Sequence, residues 1–131
     1  MILADTSVWI DLLGGKKSAE ATALEHAIIT GQDICLCPVI TMEILQGVRD
    51  DRVHAKLKAR LAVFIELPIH QSTYAMATDI YRAARKKGLT IRKPIDCIIA
   101  ATAIEHDAEL LHADRDFDAV AKVSPLRLFE S

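Results

Sequence analysis

Apolar residues in this chain fall into two patterns: short unbroken runs, and longer stretches where they recur every three or four positions. Ile2-Leu3-Ala4 is a run of the first kind and predicts a buried first strand. Thr6 and Ser7 follow with N-cap chemistry, and a short helix through Trp9, Ile10, Leu12 and Leu13 is stopped by Gly14-Gly15. With Ser18 as its cap, a second helix reaches about Thr30 and carries Ala21, Leu24, Ala27 and Ile28 on one face. Ile34 to Cys37 predicts the second strand, and Pro38 opens a helix through Met42, Ile44, Leu45 and Val48. A more polar helix from about Asp51 to Val63 carries Val53, Leu57 and Leu61, and Phe64 to Leu67 predicts the third strand. From about Ser72 to Lys87, Tyr74, Ala77, Tyr81 and Ala84 recur at helical spacing, with Gly88 at the end. Pro94 opens the next helix, whose apolar face runs through Ile95, Ile98, Ile99 and Ala103. Glu109 to His112 predicts a fourth strand, Phe117 to Ala121 a last short helix, and Leu126 to Phe129 an edge strand.

Strand runs alternating with helical patterns predict an α/β domain, with a mainly parallel sheet of four to five strands flanked by helices. At 131 residues and 51% hydrophobic, the chain is expected to form one domain, residues 1–131, with its own core. Its three cysteines, Cys35, Cys37 and Cys97, form no C-x-x-C pair and read as small buried apolar residues in a reducing compartment. The N-terminus has no basic leader, and no run approaches the ~18 apolar residues of a membrane helix. A soluble, cytoplasmic protein is expected.

A net charge of −2 argues against a generally basic nucleic-acid glove. The charges are nevertheless uneven. Arg82, Arg85, Lys86, Lys87, Arg92 and Lys93 occur with no acid among them. They read either as a solvated helix end that complements the macrodipole or as a strip that contacts phosphates.

Most of the acids belong to helix surfaces, but a few are placed differently. Asp5 follows a buried strand directly, where it is either a helix cap or a group at the crevice of a parallel sheet. Glu43 sits among Val39, Ile40, Met42 and Ile44, so its carboxylate must face solvent or meet a cation. Asp96 lies in the first turn after Pro94, where the dipole favours an anion. Asp114, Asp116 and Asp118 alternate just after the fourth strand, without the further ligands of an EF-hand loop. Strand C-termini and the following helix N-termini share one edge of a parallel sheet, so these positions can converge on one mouth. Carboxylates crowded together need cations to stay ionised, and hard oxygen ligands without a Cys/His set select Mg²⁺ or Mn²⁺ over Zn²⁺.

Asp5-Thr6-Ser7, Glu43 in Thr41-Met42-Glu43-Ile44, Asp96 in the stretch from Pro94 to Ala103, and Asp114-Arg115-Asp116-Phe117 together resemble a PIN-domain ribonuclease, most closely the VapC type of bacterial toxin. The resemblance covers essentially the whole chain, with its motifs in order. It implies a Mg²⁺- or Mn²⁺-dependent endoribonuclease with Asp5, Glu43, Asp96 and Asp114 as catalytic acids. The metal would be held by Asp5, Asp96, Asp114 and Asp116, with either Asp114 or Asp116 as the nearer terminal acid. Where many members carry Ser or Thr, this chain has His112. The resemblance also implies a small inhibitory antitoxin and a toxin homodimer.

Beside that reading, Arg85, Lys86, Lys87, Arg92 and Lys93 are close to Asp96 in sequence and are expected to flank the mouth as RNA contacts. Thr6 or Ser7 would hold an acid from behind. Trp9, Leu12 and Leu13 lie on a first helix apolar almost all round, and would offer surface to the antitoxin. A phospho-acceptor signalling domain would also collect acids and Mg²⁺ at strand ends. It calls for an acid pair after the first strand and a late-strand Lys, whereas Asp5 stands without an adjacent acid and the late strand ends in His112. A non-catalytic nucleic-acid-binding module would use the basic strip but leave the spread of acids unexplained.

Overall fold

The computed structural model describes residues 1–130. Strand β1 (Ile2–Ala4) is buried along its whole length, as a run without polar alternation must be when both faces of the sheet are covered. Its parallel neighbours are β2 (Ile34–Leu36) and β4 (Glu109–Leu111), with Leu3 opposite both Cys35 and Leu110. Beyond β2 lies β3 (Ile65–Glu66), giving the order β3-β2-β1-β4.

Parallel neighbours need crossovers, and each crossover here is a pair of helices. α1 (Thr6–Leu13) and α2 (Ala19–Ile29) join β1 to β2, and α3 (Pro38–Gln46) and α4 (Asp51–Leu61) join β2 to β3. α5 (Gln71–Lys86) and α6 (Pro94–Glu105) lead back to β4, after which α7 (Arg115–Val123) closes the fold. The chain therefore builds outward from β1 to β3, then returns to the other side of β1. That reversal leaves a crevice at the C-terminal ends of β1 and β4.

Local chemistry sets the helix ends. Ser18 accepts the N–H of Ala21, Asp50 accepts those of Arg52 and Val53, and proline begins α3 and α6. α6 is buried on nearly every side, and the small residues Ala100, Ala101 and Ala103 let its neighbours come close. Its interior Thr102 satisfies its hydroxyl on the carbonyl of Ile98 at 2.8 Å. Cys35, Cys37 and Cys97 are free, buried thiols within the same core.

Several boundaries differ from the sequence expectation. β2 stops at Leu36 because Cys37 becomes the cap residue of α3. β3 is reduced to two exposed edge residues, since Phe64 bonds back to the end of α4 and Leu67 leaves the ladder after bonding to Leu36. β4 stops at Leu111, and α7 starts earlier than expected because Asp114 caps it. The expected strand at Leu126–Phe129 is a single parallel bridge between Leu110 and Leu128. Trp9 is also corrected. It is only 2% exposed and packs edge-on against Phe64, with ring centroids 5.1 Å apart, so it is a core residue with no surface for a partner.

Phe117 is fully buried and pins α7 to the core beside Asp116. Phe117→Ala is expected to cost about 3–5 kcal/mol, read as a lower urea midpoint at unchanged slope. A loss under about 1 kcal/mol would contradict this docking of α7.

Candidate metal centre

The crevice between β1 and β4 is where the acids meet. Asp5 leaves the end of β1, and its backbone N–H is tied to the carbonyl of Leu111 at the end of β4. Its backbone carbonyl starts α1, but its side chain makes no helix-cap bond. The Ser7 hydroxyl instead donates to Asp5 Oδ2 at 2.9 Å. Glu43 comes from α3 and accepts the Thr6 hydroxyl at 2.7 Å. Both hydroxyls after β1 thus hold acids, one within its own turn and one across to the neighbouring helix.

Asp96, Asp114 and Asp116 form the tightest group: one ligand atom from each lies within 4.8 Å of the others. Asp96 is buried in the first turn of α6. Asp114 is the cap of α7 and accepts the N–H of Asp116 at 3.0 Å. Asp116 is 3% exposed, behind the other two. Asp5, Glu43, Asp96 and Asp114 line a cleft of about 570 Å³ together with Thr6, Lys93 and Arg115. The structure therefore brings together five of the six acids set apart in the sequence, Asp5, Glu43, Asp96, Asp114 and Asp116. Asp118 faces outward, 3.5 Å from His112 Nε2. His112 accepts the N–H of Asp114 through Nδ1, a backbone-positioning contact at the place expected for a hydroxyl residue.

Burial above all, then the charges of Asp5 and Asp114, pushes the Asp96 carboxyl up to about 7, although Lys93 pulls the other way. Burial also raises Asp5, against the stabilising bond from Ser7. Asp96 Oδ2 is buried with no hydrogen-bond partner among the described residues. An orphaned carboxylate oxygen beside two further carboxylates, with only oxygen donors in the group, fits a hard divalent cation.

The basic strip splits, which corrects the expectation that all of it flanks the mouth. Arg92 and Lys93 line the acidic cleft. Arg92 reaches Asp114 Oδ1 at 3.0 Å and Asp116 Oδ2 at 3.3 Å. This pairing spans 22 and 24 residues and had no sequence signal. Arg85 sits 5.7 Å over the Tyr81 ring in a separate groove between α5 and α6, while Lys86 and Lys87 are exposed at the end of α5. The cause is the turn at Gly88, which separates the helix end from the approach to α6.

An apolar groove of about 500 Å³ runs beside the cleft, lined by Ile10, Leu13, Ile44, Val48, Val53 and Leu57. Ile10 and Glu43 border both spaces. Leu13 is exposed as expected, Leu12 is half-buried against the core, and Ile10, more than half exposed, occupies the place expected for Trp9.

The PIN domain family model matches residues 2–123. Ribonuclease VapC11 of Mycobacterium tuberculosis is 37% identical, over 97% of this chain and 96% of its own length. Ribonuclease VapC19 of the same organism is 32% identical, over 85% and 86% respectively. Among solved structures, a toxin-antitoxin complex from Klebsiella pneumoniae includes a chain that superposes with a TM-score of 0.73 at 23% identity, covering 98% of this chain and all of that one.

The Asp96 shift has a thermodynamic signature. The unfolded carboxyl releases its proton near 3.8 and the folded one near 7, so the metal-free protein should lose stability as pH rises between these values and level off above. Asp96→Asn is expected to flatten that slope and to be the more stable protein at pH 8, measured by urea unfolding at pH 5 and 8. A wild type that becomes more stable across this window would contradict the shift.

Proposed function

This chain belongs to the PIN-domain family, and from that premise we propose that it is a VapC-type endoribonuclease that hydrolyses RNA phosphodiester bonds with a divalent metal. The observation that carries the reading is the orphaned Asp96 oxygen within the Asp96–Asp114–Asp116 group. Asp5, Asp96 and Asp114, backed by Asp116, would hold Mg²⁺, with Mn²⁺ as a substitute. When bound, such an ion would acidify water and neutralise charge on the phosphate.

The chain's own residues supply the rest. Thr6 fixes one Glu43 oxygen, leaving the other to orient the attacking water in the cleft. Ser7 holds Asp5 in place from behind. Lys93 at the cleft, with Arg92, would meet the phosphates of the bound strand. Arg85, Lys86 and Lys87 would serve only an RNA long enough to pass along α5. Water gives up a proton as its oxygen adds to phosphorus, the ester P–O bond breaks, and the leaving oxygen takes up a proton.

As the toxin of a toxin–antitoxin pair, the protein would be a cytoplasmic homodimer restrained by an antitoxin. The apolar groove supports the last point, because it is open, lies beside the cleft and shares Ile10 and Glu43 with it. An apolar antitoxin segment seated there, with an Arg or Lys extended toward the acids, would block the site. The Klebsiella pneumoniae chain with the same fold is itself from a toxin-antitoxin complex. Among the described residues, no helix is long and apolar enough to cross a membrane.

Asp5→Asn and Asp96→Asn are each expected to lower metal-dependent RNA cleavage by more than about 100-fold, beyond the usual cost of losing an outer-shell partner. Gel assays with added Mg²⁺ or Mn²⁺ and with chelator would measure it, and near-wild-type cleavage by either variant would refute the assignment. Leu13→Glu is expected to weaken inhibition by the cognate antitoxin at least about tenfold while sparing cleavage, since it places a charge in an apolar groove. Full inhibition of that variant would remove the groove as the dock.

A further inference from the structure

Arg92 lies in the segment between α5 and α6, and its donors converge on the acids. Its backbone N–H donates to Asp116 Oδ2 at 3.1 Å, Nε lies 3.3 Å from the same oxygen, and Nη2 lies 3.0 Å from Asp114 Oδ1. These are two of the three carboxylates that gather within 4.8 Å, and the third keeps an oxygen without a partner among the described residues. The Arg92 side chain is 53% exposed, so the acids tether it more than packing does.

We propose that Arg92 is a positioning residue that stands in for the divalent ion, holding Asp114 and Asp116 until the ion displaces its guanidinium from Asp114. The proposal rests on the nuclease reading above. Asp114 Oδ1 already accepts the Asp116 N–H as well as Arg92, so an incoming cation competes for a crowded oxygen. The cation also repels the guanidinium, which is exposed enough to swing outward. The backbone N–H of Arg92 stays on Asp116 throughout, because moving the side chain does not remove it. The buried acid thus keeps its place while the outer one changes partner, and the released guanidinium can meet a phosphate of the RNA.

The alternative role is a brace that keeps the acids in shape for the metal. The two roles predict opposite signs. Calorimetric titration of Mn²⁺ without RNA would compare wild type with Arg92→Gln, Arg92→Lys and Asp96→Asn, alongside the melting temperature of each protein without metal. Wild type is expected to bind Mn²⁺ and Asp96→Asn to lose it. Arg92→Gln should bind Mn²⁺ about fivefold more tightly, the scale of removing one partly exposed ion pair, while melting lower without metal and gaining more from it. Equal or weaker binding by Arg92→Gln overturns the proposal and makes Arg92 a brace. Arg92→Lys keeps the charge but not the planar fork, and carries the same decision, with a smaller gain, should Arg92→Gln not fold. A wild type without Mn²⁺ binding, or an Asp96→Asn variant that binds as wild type does, refutes the nuclease reading and this proposal with it.

Discussion

Between β1 and β4 the chain reverses the direction in which it adds strands, and no crossover helix can cover the place where the two strand ends part. The hydrogen bond from the Asp5 N–H to Leu111 keeps those ends together just before they diverge. Asp5 and the Asp114 turn leave from the two sides of that point, while α3 and α6 deliver Glu43 and Asp96 from above. With strands of only two or three residues, little sheet exists apart from this junction. The crossover helices, packed through buried α6, supply most of the remaining framework.

Converging acids oppose folding. Each carboxylate withdrawn from water beside another raises the free energy of the ionised site, and the carboxyl of Asp96 responds by holding its proton to about 7. The surroundings answer in three ways. Hydroxyls from Thr6 and Ser7 and the backbone N–H groups of Arg92 and Asp116 bond to carboxylate oxygens, and the Arg92 guanidinium neutralises one side. Among the described residues, one buried oxygen, Asp96 Oδ2, is left unanswered. Such a gap costs stability, and it offers a cation a buried carboxylate oxygen with no competing partner there.

The features legible in the sequence were those that local pattern can carry. Ile2-Leu3-Ala4 announced a buried strand, Pro38 and Pro94 announced helix starts, and the five acids stood where a parallel sheet gathers its strand ends. Features that depend on partners distant in sequence were not legible. Phe64 to Leu67 has the composition of a strand, but edge pairing with β2 alone ends it after two residues. Trp9 and Leu13 share one short apolar helix, yet the first is buried against Phe64, distant in sequence, while the second remains exposed. The charge run from Arg82 to Lys93 reads as one strip until Gly88 turns the chain, leaving Arg82 and Arg85 at one groove and Arg92 and Lys93 at another.

The three thiols in the core have a further use. Burial lifts Cys37 and Cys97 to about 11 and raises Cys35 as well, so at neutral pH the folded chain presents sulfurs that are both shielded and protonated. An alkylating reagent can meet them only when the structure opens. They report from different places: Cys35 from the centre of the sheet, Cys37 from the start of α3, and Cys97 from the turn that carries Asp96. The order in which they become labelled in native buffer would give the order in which sheet, helix and acidic turn come apart.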